Sequence, residues 1–182
     1  MIKVLNNFLK EDEFKIIEDK IMSNEFPWYF QNETVTSVNY KEIPQFTHVC
    51  YLNNRPYSDY FYDLIPILEK LNAYVVLRMK FNLQNKYNNH VESGMHTDYI
   101  GTDLPVKTAI LYMNTNNGYT KFESGEKIYS ERNKLVVFDG KIKHTGATHT
   151  CDTFRRVVLN INFLEKNKDT SYAWYKRINN AT

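Results

Sequence analysis

The sequence predicts an antiparallel β-sandwich or barrel with flanking helices. Three observations carry that expectation: from Ala73 onward apolar residues recur at every second position, turn signals arrive at hairpin spacing, and no helical period separates one strand from the next. At 182 residues the chain has the length of one domain with a real core. It reads as a single unit, with helical and strand support over 1–72, a β core over 73–164 and a C-terminal tail over 165–182.

The elements follow in order. Leu9 to Ser23 sets Phe14, Ile17 and Ile21 at helical spacing, with Glu11, Asp12 and Glu13 where a helix start favours acids. Phe26 to Phe30 is an aromatic extended piece, and Thr47 to Leu52 is a strand in a region limited by Pro44 and Pro56. A second helix is expected from about Ser58 to Leu71, with Pro66 kinking it or lying in its first turns.

From Ala73 the period becomes two. Val75, Leu77, Met79, Phe81 and Leu83 form the buried face; on the other, Lys80 is expected in solvent, while Arg78 and Asn82 are open between site and solvent. Gln84 to Ser93 reads as a loop over the site, with His90 a loop histidine. Lys107 to Asn114 and Tyr119 to Glu123 are strands that Asn116-Asn117-Gly118 is expected to join as a hairpin. Ser124-Gly125 turns the chain into Lys127 to Ser130. Lys134 to Phe138 is an apolar strand ended by Asp139-Gly140, and Arg155 to Phe163 is the last and longest. Tyr172, Trp174 and Tyr175 in the tail are expected to pack on the body.

Composition removes several classes of function. Lys and Arg number 23 against 21 Asp and Glu, without the clustered basic face of a nucleic-acid or membrane surface. Cys50 and Cys151 are too few for a disulfide framework, and nothing near Met1 has the layout of a signal peptide, so an intracellular, cytoplasmic setting is expected. No apolar run approaches the ~20 residues of a spanning helix.

Candidate chemistry starts at Gly94-Met95-His96-Thr97-Asp98-Tyr99. In extended backbone His96 and Asp98 point to one face and supply two of the three ligands of a 2-His-1-carboxylate site for non-haem iron(II). A histidine at the edge of a later strand must supply the third. His144, just past the apolar strand and its turn, is the better candidate; His149 lies in a Thr-rich connection whose mobility makes a poorer ligand. A fixed cation follows at Arg155 or Arg156. Arg155 shares a face with Val157, Leu159 and Ile161, whereas Arg156 shares one with Val158, Asn160 and Asn162, which is the face that looks like a site.

In these residues the chain resembles the 2-oxoglutarate and iron(II)-dependent dioxygenases. The resemblance runs through His96-Thr97-Asp98, Lys107 to Asn114, Asn117 to Phe122, His144-Thr145-Gly146 and Arg156 to Asn160, and covers about residues 73 to 164. It is nearest to small stand-alone members beside the prolyl 4-hydroxylase branch, of the sort common in phage and bacterial genomes. It implies a double-stranded β-helix, or jelly roll, with His96, Asp98 and His144 as catalytic iron ligands, Arg156 on the distal carboxylate of 2-oxoglutarate and the Tyr112 hydroxyl beside that carboxylate. The resemblance further implies oxidative decarboxylation of 2-oxoglutarate by dioxygen to succinate, ascorbate as an accessory, and hydroxylation of a peptidyl or free amino acid or another small metabolite. The family's Gly-Gly-Xaa-Thr turn is here Asn117-Gly118-Tyr119-Thr120, so Tyr119 is expected to reshape a substrate mouth formed by Tyr87 to Ser93 and Tyr99 to Asp103. The alternatives are a non-catalytic jelly-roll or cupin-like metal-binding module and, disfavoured by the near-neutral charge, a nucleobase oxygenase.

Overall fold

A computed structural model of the chain describes residues 1–32, 43–98 and 104–166. The expected Tyr99 to Asp103 part of the mouth and the aromatic tail after Asp169 lie outside the described residues. The elements in order are β1 (Lys3–Leu5), α1 (Glu11–Ile21), β2 (Tyr29–Gln31), β3 (Gln45–Leu52), β4 (Arg55–Pro56), α2 (Tyr60–Asp63), α3 (Ile65–Lys70), β5 (Ala73–Asn85), β6 (Lys107–Tyr112), β7 (Tyr119–Phe122), β8 (Lys127–Tyr129), β9 (Lys134–Asp139), β10 (His144–Gly146) and β11 (Arg155–Glu165). No helix among the described residues is long and apolar enough to cross a membrane.

Every pairing between these strands is antiparallel, as the jelly-roll expectation requires. A major sheet runs β1-β9-β6-β11-β5-β3-β2, with β4 beside β3, and a minor sheet runs β10-β7-β8. The period of two then decides what each face of the major sheet meets. Met79, Phe81, Leu111, Leu159 and Ile161 of its strands are buried with Phe14, Ile17 and Ile21 of α1 and Leu64 and Ile67 from the α2–α3 region. On the opposite face, Ile110, Tyr112, Val136, Phe138 and Val158 meet Phe122 of the minor sheet. That second core draws on β6, β9 and β11 but takes nothing from β5 or β3, whose inner faces are polar. A cavity of about 340 Å³ lies there.

Local chemistry explains where the elements depart from expectation. Pro66 sits in the first turn of α3, and the chain breaks at Leu64 into two short helices. In β5 the buried face holds over Met79, Phe81 and Leu83, but a register shift against β11 leaves Leu77 as the extra residue and turns Val76, not Val75 or Leu77, onto the core. The Asn117-Gly118 stretch is not a hairpin turn. β6 pairs with β9 and β11, and β7 with β8 and β10, so this connection crosses from one sheet to the other. Asn117 instead holds the approach to β11: its Oδ1 accepts from the backbone of Thr150 and Cys151 at 2.9 and 3.2 Å.

Gly118 has a packing reason. A Cβ there would lie 2.5 Å from Cδ of Arg156 and 2.9 Å from its Nε, closer than atoms approach, so the missing side chain is what gives the arginine its place. Gly118→Ala is expected to destabilise by about 1–3 kcal/mol, the usual cost of overpacking a closed site, read as a lower urea midpoint at unchanged slope. An unchanged midpoint would show that Arg156 can move aside without cost.

Candidate active site

Backbone pairing brings the first and last metal-ligand candidates together. Residues around His96 lie beside β10 as an irregular extra strand, in which His96 N donates to His144 O at 3.0 Å and His144 N to His96 O at 2.9 Å. Residues directly opposite in such a pair share a face, so the imidazoles meet, with ring centroids 4.7 Å apart. Asp98, two residues along, falls on the same side: one donor atom from each of His96, Asp98 and His144 lies within 4.8 Å of the others. His149, the other candidate for third ligand, is buried elsewhere, its Nε2 hydrogen-bonded to Thr153 O at 2.7 Å, and His90 is hydrogen-bonded to Thr148 O.

The surroundings prepare these groups as ligands. His96 Nδ1 donates to Gly94 O at 3.0 Å and His144 Nδ1 to Ile142 O at 3.1 Å, an arrangement that leaves each Nε2 lone pair facing Asp98. Burial lowers the His144 pKa from its ordinary value despite the nearby Asp98 charge, which favours the neutral form that a ligand needs. The Asp98 side chain is only 4% exposed. Burial by itself would raise its pKa, but the Arg78 guanidinium, His144 and the amides of Asn160 and Asn162 outweigh that and hold the carboxyl well below the usual range. Its Oδ2 accepts from Thr108, Asn160 and Asn162 at 3.0, 3.1 and 3.1 Å, and Oδ1 from Arg78 Nη2 at 3.0 Å.

Arg156 enters the same cavity from β11, while Arg155 points to the other face and donates to Met22 O at the end of α1. Arg156 is 4% exposed; its Nε donates to Ser130 Oγ at 2.9 Å and its Nη1 to Gln84 Oε1 at 3.3 Å. No carboxylate among the described residues pairs with it. The Tyr112 ring is fully buried with the Arg156 guanidinium 5.7 Å from its centroid, and its hydroxyl donates to Thr120 Oγ1 at 2.9 Å. Thr120, rather than Tyr112, faces the cavity. Tyr119 does not line the cavity itself, but its hydroxyl donates to Glu92 at 2.9 Å, which ties β7 to the 87–93 segment expected at the mouth.

One cation escaped the sequence reading, and a second, Arg78, is resolved from the two places left open for it. Lys80, expected in solvent, lines the cavity half-buried, as does Arg78. Burial, with the Arg78 charge adding to it, pulls the Lys80 ammonium down to about 8 against the influence of Asp98. The usable signal was that β5 pairs with β11 through its whole length: Lys80 lies opposite Asn160 and Gln84 opposite Arg156, so the polar face of one strand belongs with that of the other.

By sequence alone the chain matches no family model and no curated protein. Solved structures do match. An oxidoreductase of the 2OG-Fe(II) oxygenase family from Burkholderia pseudomallei superposes with a TM-score of 0.69 at 10% identity, covering 91% of this chain and 86% of that one. A Pseudomonas putida prolyl-4-hydroxylase gives 0.62 at 13% identity over 91% and 92% of the two chains. A prolyl hydroxylase from Trichoplax adhaerens, in complex with a hypoxia inducible factor oxygen degradation domain peptide fragment, gives 0.58 at 12% identity over 89% and 83%. The chain thus has the jelly-roll fold of the 2-oxoglutarate and iron(II)-dependent oxygenases, with His96, Asp98, His144 and Arg156 gathered in one cavity.

Proposed function

We propose that the protein is an iron(II)- and 2-oxoglutarate-dependent dioxygenase that hydroxylates a peptidyl or free amino acid or another small metabolite. The observation that carries this reading is the company Arg156 keeps. A guanidinium buried without a carboxylate is costly, and it becomes favourable when an anion completes its fork. Arg156 stands so in the same cavity as His96, Asp98 and His144. A metal-binding module without catalysis has no use for that cation.

The residues present fit the groups such an enzyme needs. His96 Nε2, His144 Nε2 and Asp98 would hold iron(II), two neutral imidazoles and one carboxylate being the donor set that leaves positions open for other ligands. Arg156 would take the distal carboxylate of 2-oxoglutarate, with Thr120 beside it and the Tyr112 hydroxyl behind Thr120. With dioxygen, these groups supply oxidative decarboxylation of 2-oxoglutarate to succinate and carbon dioxide, coupled to hydroxylation of an unactivated carbon. The protein's part is position and electrostatics: Nδ1 hydrogen bonds keep both rings in the ligating tautomer, and three donors on Asp98 Oδ2 fix the carboxylate plane. Prolyl hydroxylases among the similar folds, one of them holding a peptide, support an amino acid side chain as substrate.

Anaerobic addition of iron(II) and 2-oxoglutarate is expected to produce a metal-to-ligand absorption band, and air with ascorbate to release succinate. Arg156→Ala is expected to weaken 2-oxoglutarate binding by about a hundredfold or more, as when one partner of a buried charge pair is removed. Absence of both band and succinate in the wild type would overturn the reading. The ligand set has its own check in metal content after dialysis: His144→Ala loses bound iron(II) or cobalt(II), whereas His149→Ala, which removes the rejected third ligand, retains it.

A further inference from the structure

The iron and 2-oxoglutarate reading leaves one wall of the cavity without a task. Arg78, Lys80, Asn82 and Gln84 are four successive inward residues of β5, and all four line the cavity. The residues at the two ends have partners, since Gln84 accepts from Arg156 and Arg78 donates to Asp98. Lys80, between them, has no side-chain hydrogen bond and no carboxylate within 4.0 Å among the described residues, although Asp98 lies within electrostatic reach. The register locates it. Lys80 lies opposite Asn160 on β11, and Asn160 donates to Asp98 at 3.1 Å. Neighbouring strands are ~5 Å apart, so the ammonium's strand is one step from a residue that touches the candidate metal-binding carboxylate.

Charge points the same way. Among the described residues, Arg78, Lys80 and Arg156 face the cavity against Asp98 as the single carboxylate. Asp98 serves Arg78 and the metal, and Arg156 serves 2-oxoglutarate. Lys80 is the cation left over, and Arg78 Nε beside it is a buried donor with no acceptor. A half-buried ammonium is a compact charge that can donate to carboxylate or phosphate oxygens from many directions. The cavity, about 340 Å³, is at the small end of ligand-sized sites, which run to ~1,000 Å³.

We propose that the substrate is a small acid whose anionic group seats on Lys80, on the polar wall of β5, so that the carbon to be hydroxylated is held toward His96, Asp98 and His144. This rests on the oxygenase reading above. It separates two kinds of substrate left open there: a neutral peptide side chain gains nothing from Lys80, whereas a free amino acid or other small acid does. Carboxylate and phosphate share the recognising chemistry, and the probes tell them apart.

The test is calorimetric titration of acetate and, separately, inorganic phosphate into protein loaded anaerobically with iron(II) and 2-oxoglutarate, at ionic strength held constant with chloride. With Arg156 occupied, the wild type is expected to bind at least one of the two anions. Lys80→Gln is expected to weaken that binding at least tenfold, and Lys80→Arg, which keeps the charge, to retain most of it. Acetate binding alone indicates a carboxylic acid substrate, and phosphate binding alone a phosphorylated one. A wild type that binds neither anion, or a Lys80→Gln that binds as the wild type does, overturns the proposal. Circular dichroism checks folding, with Lys80→Met as the substitute if the glutamine variant does not fold. The absorption band of the loaded wild type reports the oxygenase reading by itself. If no band forms, that reading has failed, and the same titration of metal-free wild type against Lys80→Gln still decides whether this wall binds acids.

Discussion

Strand β11 imposes the constraint on which the rest of the structure depends. It is the interior strand between β6 and β5, and its residues alternate without exception between two environments. Val157, Leu159, Ile161 and Phe163 enter the core under the helices, and Arg156, Val158, Asn160 and Asn162 enter the space between the sheets. A slip of one residue would put an arginine and two asparagines into hydrocarbon and expose four large apolar side chains, each worth about 1.5–3 kcal/mol on burial. The same apolar period that holds the sheet in register therefore also holds Asn160 and Asn162 on Asp98 and Arg156 at the other end of the cavity. Site and core are stabilised by one pattern.

The cavity also stores its electrostatics in advance. An ionised, almost fully buried carboxylate is unfavourable unless its lone pairs are filled, and Asp98 receives donors from β5, β6 and β11. Those strands are neighbours, so their side chains converge without any loop having to order itself. The histidines use the other device, a pair of backbone hydrogen bonds across the His96 and His144 bridge. One side of the candidate site is thus held by side chains of the major sheet and the other by backbone of the minor sheet, and each candidate ligand is oriented by groups that are themselves fixed.

How much of this could be read from residues alone depended on whether the signal was local. The spacing of His96 and Asp98, the face of Arg156 and the apolar stripe of α1 are properties of a single segment and stand as expected. Pro66 announced a disturbance but not that it would cut the helix at Leu64. The errors came where a partner strand decides. Asn117-Gly118 carries hairpin chemistry, yet its flanking strands have better partners in different sheets, and tertiary pairing overrode the turn preference. Leu77 reads as one more buried residue, and only the register against β11 reveals the bulge. Lys80 was assigned to solvent because an alternating strand with a charged face commonly lies at the surface.

That last error has a physical explanation that also says where the cavity must be. The minor sheet has three strands and the major sheet's central path seven, so the minor sheet cannot cover the whole inner face. Packed side chains fill the gap over β9, β6 and β11, where Val136, Ile110 and Val158 meet Phe122. Past β11 that apolar packing ends among the described residues, and the inner faces of β5 and β3 carry Lys80, Asn82, Gln84 and Gln45 instead. A polar face left open within a sandwich needs something polar to fill it. His96, Asp98 and His144, the candidate metal ligands, stand at the border between the filled part and the polar part of this face. On the proposed reading, chemistry and selectivity occupy different parts of the fold: the candidate ligands beside the packing over β11, and the acid-binding side chains on β5, which the core does not use.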